Sequence, residues 1–213
     1  MAVTGVNHLN QIYGNAYASS RKDTVKQGNV KEAAGAGISK TNEEKLSQRA
    51  QKYLKNLRKQ YGDYDLMVGK RGDDLKTLTK SGQEEFSVVF SNEELERMAS
   101  DEKYANEKLG NIDRAVEMSK EINKKYGFEL AAGKGSNADI TKIGMVFEDD
   151  GTKSLFAQLE KSVGKQKDPL EVKSAFVQGN SMDELLGKIM GVDWNAVKPE
   201  IVQESGGKFD FSI

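Results

Sequence analysis

The stretch that most constrains this chain is Phe86-Ser-Val-Val-Phe90, followed without a loop by Ser91-Asn-Glu-Glu94. A short run of aromatic and β-branched residues predicts a strand that is buried. A Ser with Glu three residues on has the form of a capping box, in which the hydroxyl accepts from the N–H three residues later and the Glu reaches back. Helix therefore follows strand directly. Downstream, Ala105, Leu109, Ile112, Val116, Ser119 and Tyr126 recur at helical spacing and predict a long helix lying on a core. The stripe changes phase between Ala99 and Ala105, and Ser100-Asp101 is placed to cap a second helix.

The chain on either side follows the same logic. Residues 1 to about 38 are rich in Asn, Gly, Ala and Ser, with few apolar side chains to bury, and are expected to be loose. Thr41-Asn-Glu-Glu44 predicts a helix running to about Tyr61 and stopped by Gly62. Tyr64–Val68 then reads as a strand, Gly69–Gly72 as a turn and Asp73–Lys80 as a short helix with Leu75 and Leu78 inward. The connection back to the Glu85–Phe90 strand is long enough to cross over to a parallel neighbour. Ile140–Phe147 and Thr152–Leu159 flank Asp149-Asp-Gly151, and an Asp-Gly turn between β-prone runs predicts a hairpin. From Lys161 the chain turns polar, until Ser181-Met-Asp-Glu184 caps a short helix.

Composition excludes several classes of chemistry. The 213 residues carry 32 basic and 33 acidic side chains, interleaved to a net charge of −1, so nucleic acid has no basic stripe to bind. The chain contains no Cys, which removes disulfides, thiolate nucleophiles and thiolate metal ligands. No apolar run approaches the roughly 20 residues of a membrane helix, and no signal peptide is expected. The compartment stays open, with the cytoplasm as default and signal-peptide-independent export as an alternative.

These observations predict an α+β fold: a small mixed four-stranded sheet with helices packed on one face, ordered α-β-α-β-α(α)-β-β, plus a C-terminal helical extension. The expected organisation is a flexible segment over 1–38, an α+β domain over 39–163 and an extension over 164–213.

Five segments also carry a resemblance: Ile38–Leu46, Lys59–Val68, Glu85–Ser91, Met98–Tyr104 and Ile143–Gly151. In that order they resemble an uncharacterised family of bacterial proteins of about this size, mostly from Gram-positive bacteria. The resemblance implies a loose N-terminus ahead of a small α+β domain, and no activity, cofactor or catalytic residue comes with it.

No convergent catalytic set emerges from the residues themselves. The one His, His8, lies in the N-terminal stretch without a neighbouring nucleophile. Gly133-Lys-Gly-Ser136 follows a helix and precedes a strand, the reverse of a phosphate loop. Gly69-Lys-Arg-Gly72 has the right order for an anion at a helix N-terminus, but Asp73 and Asp74 would repel it. Asp63 and Asp65 are a candidate carboxylate pair that turn chemistry also explains, and Tyr53, Tyr61, Tyr64, Tyr104 and Tyr126 suit core packing better than a groove. The leading expectation is a non-enzymatic interaction or structural protein with no cofactor and no metal, binding another protein and exported, in one version, through its N-terminus. Its candidate partner-binding residues are Leu185, Leu186, Ile189, Trp194 and Ile201. The alternatives are a hydrolase or transferase with a carboxylate/Tyr/Lys site, and a regulatory partner or chaperone binding through its termini.

Overall fold

A computed structural model describes residues 29–70, 72–133, 138–163 and 170–202. Among these, six helices and six strands follow the order α1 (Asn29–Glu43), α2 (Gln48–Gln60), β1 (Asp65–Val68), α3 (Leu75–Lys80), β2 (Phe86–Phe90), α4 (Asn92–Ser100), α5 (Glu102–Ala131), β3 (Asp139–Phe147), β4 (Lys153–Ser162), β5 (Leu170–Gly179), α6 (Met182–Met190) and β6 (Pro199–Val202). The strands form one mixed sheet in sequence order, β1 to β6. The pairs β1–β2 and β2–β3 are parallel, and β3 to β6 pair antiparallel.

The α+β class and the parallel β1–β2 crossover match expectation, but the sheet has six strands rather than four and the element order differs from the expected α-β-α-β-α(α)-β-β. The segment read as a helical extension adds β5 and β6 to the sheet and lays α6 against β4, β5 and α5. Helices also cover both faces rather than one. Leu66, Val68, Phe86, Val88, Phe90, Ile143, Met145, Phe147, Leu155, Ala157 and Leu159 point to one side, where α2, α4, α5 and α6 bury them. The other side carries Met67, Val89, Val146 and Phe156, and is closed by Leu78 and Leu75 of α3 and Ile38 of α1. Alternation on β2 explains the second layer: every residue of that strand is buried, so both of its faces need a cover.

The capping signals decide where the helices start. Ser91 accepts from Glu94 N (3.1 Å), Asp101 from Tyr104 N (3.0 Å) and Ser181 from Glu184 N (3.2 Å). Thr41 does not act as a cap: α1 runs through it from Asn29, inside the stretch expected to be loose, and Ser47 caps α2 instead. The β3–β4 turn forms as expected, with Gly151 at φ +81.

Asp65 anchors the start of the parallel strands. Its carboxylate accepts from Gln83 N (3.0 Å) and Glu84 N (2.9 Å) ahead of β2, from Ser87 Oγ (3.3 Å), and pairs with Lys142 of β3 at 2.9 Å. Lys142 is 9% exposed, and it also donates to the Glu84 carbonyl. A Cβ at Gly82 would come within 2.0 Å of the same carboxylate, so a larger residue there would push the Asp65 side chain from its place. Replacing Asp65 by Ala strands the buried ammonium. Asp65→Ala is expected to cost about 3 kcal/mol in urea unfolding, the range for breaking a buried pair; an unchanged midpoint would show that the anchor is dispensable.

Candidate functional site

In sheets with parallel strands, ligand sites collect beyond the strands' carboxyl ends. That end holds two adjoining cavities here, of about 400 and 250 Å³, with Glu148 and Gln178 common to both linings. The turn after β1 supplies Gly69, Lys70 and Asp73, the β3–β4 turn supplies Asp149 and Asp150, and β4, β5 and α6 supply Lys153, Gln178 and Lys188.

Most of these charges already have a task in the fold. Asp150 accepts from Thr152 N (2.9 Å) and Oγ1 (2.6 Å), which closes the hairpin. Lys188 donates to the Gln178 carbonyl and to Glu184, both at 2.7 Å. Lys153 reaches Asn111 Oδ1 at 2.6 Å, and burial, then Arg114 and Lys108, hold its ammonium below the usual lysine range. The anion reading of the Gly69–Gly72 turn fails on geometry, because the turn's own Asp73 takes the Lys70 N–H (2.9 Å) and Asn42 Nδ2 (2.8 Å). Asp149 Oδ1 is buried without a hydrogen-bond partner.

Behind the hairpin lies a network that sequence spacing did not reveal. Glu94 is fully buried, accepts from Tyr104 Oη at 2.7 Å and sits 3.4 Å from Lys108 Nζ. Lys108 also donates to the Gly151 carbonyl (3.0 Å) and lies 4.8 Å above the Tyr104 ring. Arg97 joins through Tyr104 Oη at 3.2 Å. The available signal was the second Glu of the capping box, whose side chain turns into the core instead of reaching back.

The sequence-predicted residues scatter. Leu185 (0% exposed), Ile189 (1%) and Trp194 (7%) belong to the main core, and Leu186 packs partly against it. Ile201 lies on β6 opposite Glu171, its side chain outside the described residues. The apolar surface these residues were expected to offer a partner is largely spent inside the chain. Asp65 is the structural anchor described above, while Asp63 stays exposed. Tyr126 donates to the Ala138 carbonyl (2.8 Å) in the core. His8 and Lys134–Ser136 lie outside the described residues.

Residues 44–176, well over half of the chain, match the family model described as a protein of unknown function, DUF6033. The chain belongs to that family. No curated protein and no solved structure matches it. The matched span includes the cavity residues up to Lys153, the Glu94 network and most of β5, and it stops before α6.

Two measurements follow from this geometry. Leu185→Ala should lower stability by about 2–5 kcal/mol and Leu186→Ala by much less, read from urea midpoints; equal small effects would place Leu185 at the surface. The second concerns the tyrosines. Burial, then Asp113 and the neighbouring Tyr64 and Tyr53, push the Tyr61 phenol up to about 12. Tyr64 is raised by burial, then by Asp113, Asp63 and Glu117. In the unfolded chain a tyrosine ionises near about 10. Between those values the unfolded state sheds the proton that the folded state keeps, so this stability is complete below about pH 10 and lost as pH rises through about 12. The urea midpoint should fall across that window and Tyr61→Phe should flatten the fall, with phenolate absorbance following the titration; an identical slope in the variant would remove Tyr61 from the account.

Proposed function

We propose that the protein is a non-enzymatic interaction or structural protein. The observation that carries this reading is the engagement of most of the cavity's charged groups with the fold itself. Asp150 closes a turn, Asp73 caps another, and Lys188 and Lys153 bind a backbone carbonyl and an Asn amide. A catalytic acid or base needs a side chain within reach of a reacting atom and free to exchange a proton. The hydrolase or transferase reading asks for free carboxylates converging from separate elements, whereas Glu148, Asp149 and Asp150 come from one turn and Asp73, from another, is held by Lys70 N and Asn42 Nδ2.

The burial of Leu185, Ile189 and Trp194 weakens the version in which the C-terminal segment wraps a partner. It favours recognition by side chains on the outer helix surfaces.

Photo-cross-linking of the full-length protein in its native cells, with the cross-linked residues mapped by mass spectrometry, tests the reading. The expected result is a reproducible partner joined through one surface. Recovery of the chain only as an uncross-linked monomer would overturn it. So would turnover of an ester, phosphate or glycoside substrate that disappears in Lys153→Met.

A further inference from the structure

The surface between the end of α2 and the middle of α5 combines two features found together elsewhere in this molecule. Tyr61 closes α2 as its C-cap, Gly62 and Asp63 turn the chain, and Tyr64 leads into β1. The rings of Tyr61 and Tyr64 stack with centroids 5.8 Å apart, and Tyr64 meets Phe86 edge-on at 5.2 Å. The pair is thus rooted in the core, and both residues are half-buried. Tyr53, about two turns back along α2, has its Oη buried without a hydrogen-bond partner.

Carboxylates lie within electrostatic reach of the rings. Asp113 acts on the phenols of both Tyr61 and Tyr64, and Asp63 acts on Tyr64. Glu117, one turn beyond Asp113, is paired with Lys120. Asp63 and Asp113 are exposed and have neither a hydrogen bond nor an ion pair among the described residues. The 13-residue α2 also ends here, and the negative partial charge of its last carbonyls is shared with Arg58 and Lys59 of the same turn.

At Tyr104 the same ingredients are filled from within the chain. Arg97 lies 5.5 Å and Lys108 4.8 Å from that ring centroid, beside the Glu94 carboxylate. The Tyr61–Tyr64 face has the rings and the carboxylates, but among the described residues no cation lies over it. An aromatic face attracts a cation within about 6 Å, and arginine most often fills the role. We propose that this face is the docking site for an arginine- or lysine-bearing segment of a partner protein, with Asp63 and Asp113 as its counter-charges.

This rests on the interaction reading, and its test is separable from that reading. The full-length protein would be titrated with a blocked peptide of alternating Gly and Arg, and with its citrulline counterpart, while the tyrosine ring signals are followed by NMR. The expected result is a shift at Tyr61 and Tyr64 with the arginine peptide alone. Asp63→Asn combined with Asp113→Asn should weaken binding roughly tenfold and leave the melting temperature unchanged, since both side chains are exposed. Equal shifts with citrulline, or unchanged affinity in the double variant, would overturn the proposal. So would movement of the Tyr61 and Tyr64 signals, without peptide, in a full-length chain carrying Arg21→Gln, Lys22→Gln and Lys26→Gln, because the chain's own basic stretch would then be the occupant. Cross-links to a partner that persist in the double variant would end this proposal and leave the interaction reading standing. With no cross-linked partner in either chain the interaction reading fails, while the peptide titration still decides this face.

Discussion

A parallel pair of strands has no tight turn to set its register, so something else must hold it. Here a single carboxylate does so. Asp65 receives the two backbone N–H groups that lead into β2, the Ser87 hydroxyl and the Lys142 ammonium, and so joins the starts of three neighbouring strands. A bulge makes that possible. The pairing of β3 with β4 slips between Ile140 and Lys142, so Ile140 and Ile143 both face the main core while Lys142 points to the other side and meets Asp65. With strict alternation, one of those isoleucines or the lysine would be on the wrong face.

The sheet edges are treated with similar care. Gly69 N donates to Phe90 O, so the odd residues of β1 turn toward β2 and the polar groups of Leu66 and Val68 turn outward. Arg58 takes the Leu66 carbonyl (2.7 and 3.0 Å), Ser39 accepts from Val68 N (3.0 Å) and Asn42 reaches the Val68 carbonyl at 3.4 Å. At the other edge, Val163 N donates to Glu171 O, which turns the even residues of β5 away from β4. β6 covers that edge only as far as Lys173. Beyond it, Lys76 takes the Ser174 carbonyl (3.0 Å) and Lys188 the Gln178 carbonyl (2.7 Å). Lysines and helix side chains on an exposed edge discourage another strand from pairing there.

The legible parts of the fold were those written in adjacent residues. Ser91 with Glu94, Ser181 with Glu184 and Asp149-Asp-Gly151 are local codes, and each forms its cap or turn in place. β5 carried no such code. One face holds Val172, Ser174, Phe176 and Gln178, and the other Lys173, Ala175 and Val177, so neither is consistently apolar. Its polar positions are satisfied by distant groups: Lys80 reaches Ser174 Oγ, and Gln178 Nε2 reaches Ser154 Oγ. Thr41 misled for a related reason, because the polar residues beside it, Ser39 and Asn42, serve the β1 edge from within a continuing helix. Helical spacing did identify α6, but not the surface that Leu185 and Ile189 cover, because β4 and β5 had to be in the sheet first.

Helix α5 brings the two candidate regions into one frame. Tyr104, Lys108 and Asn111 hold the hairpin turn and Lys153 at the cavity end. Further along, Asp113 and Glu117 border the tyrosines. At the first region the helix supplies both the aromatic ring and one of its cations, so the attraction is used up internally and stiffens the turn. At the second it supplies carboxylates to rings that arise from α2 and the turn after it, with no cation among the described residues to complete the set. At Glu94 and Lys108 the desolvation cost of a buried charge is offset by the gain of a fixed hairpin. The carboxylates near that half-buried ring pair are exposed, carry no such cost and contribute little to stability. That asymmetry is the physical basis for the recognition role proposed for the second region.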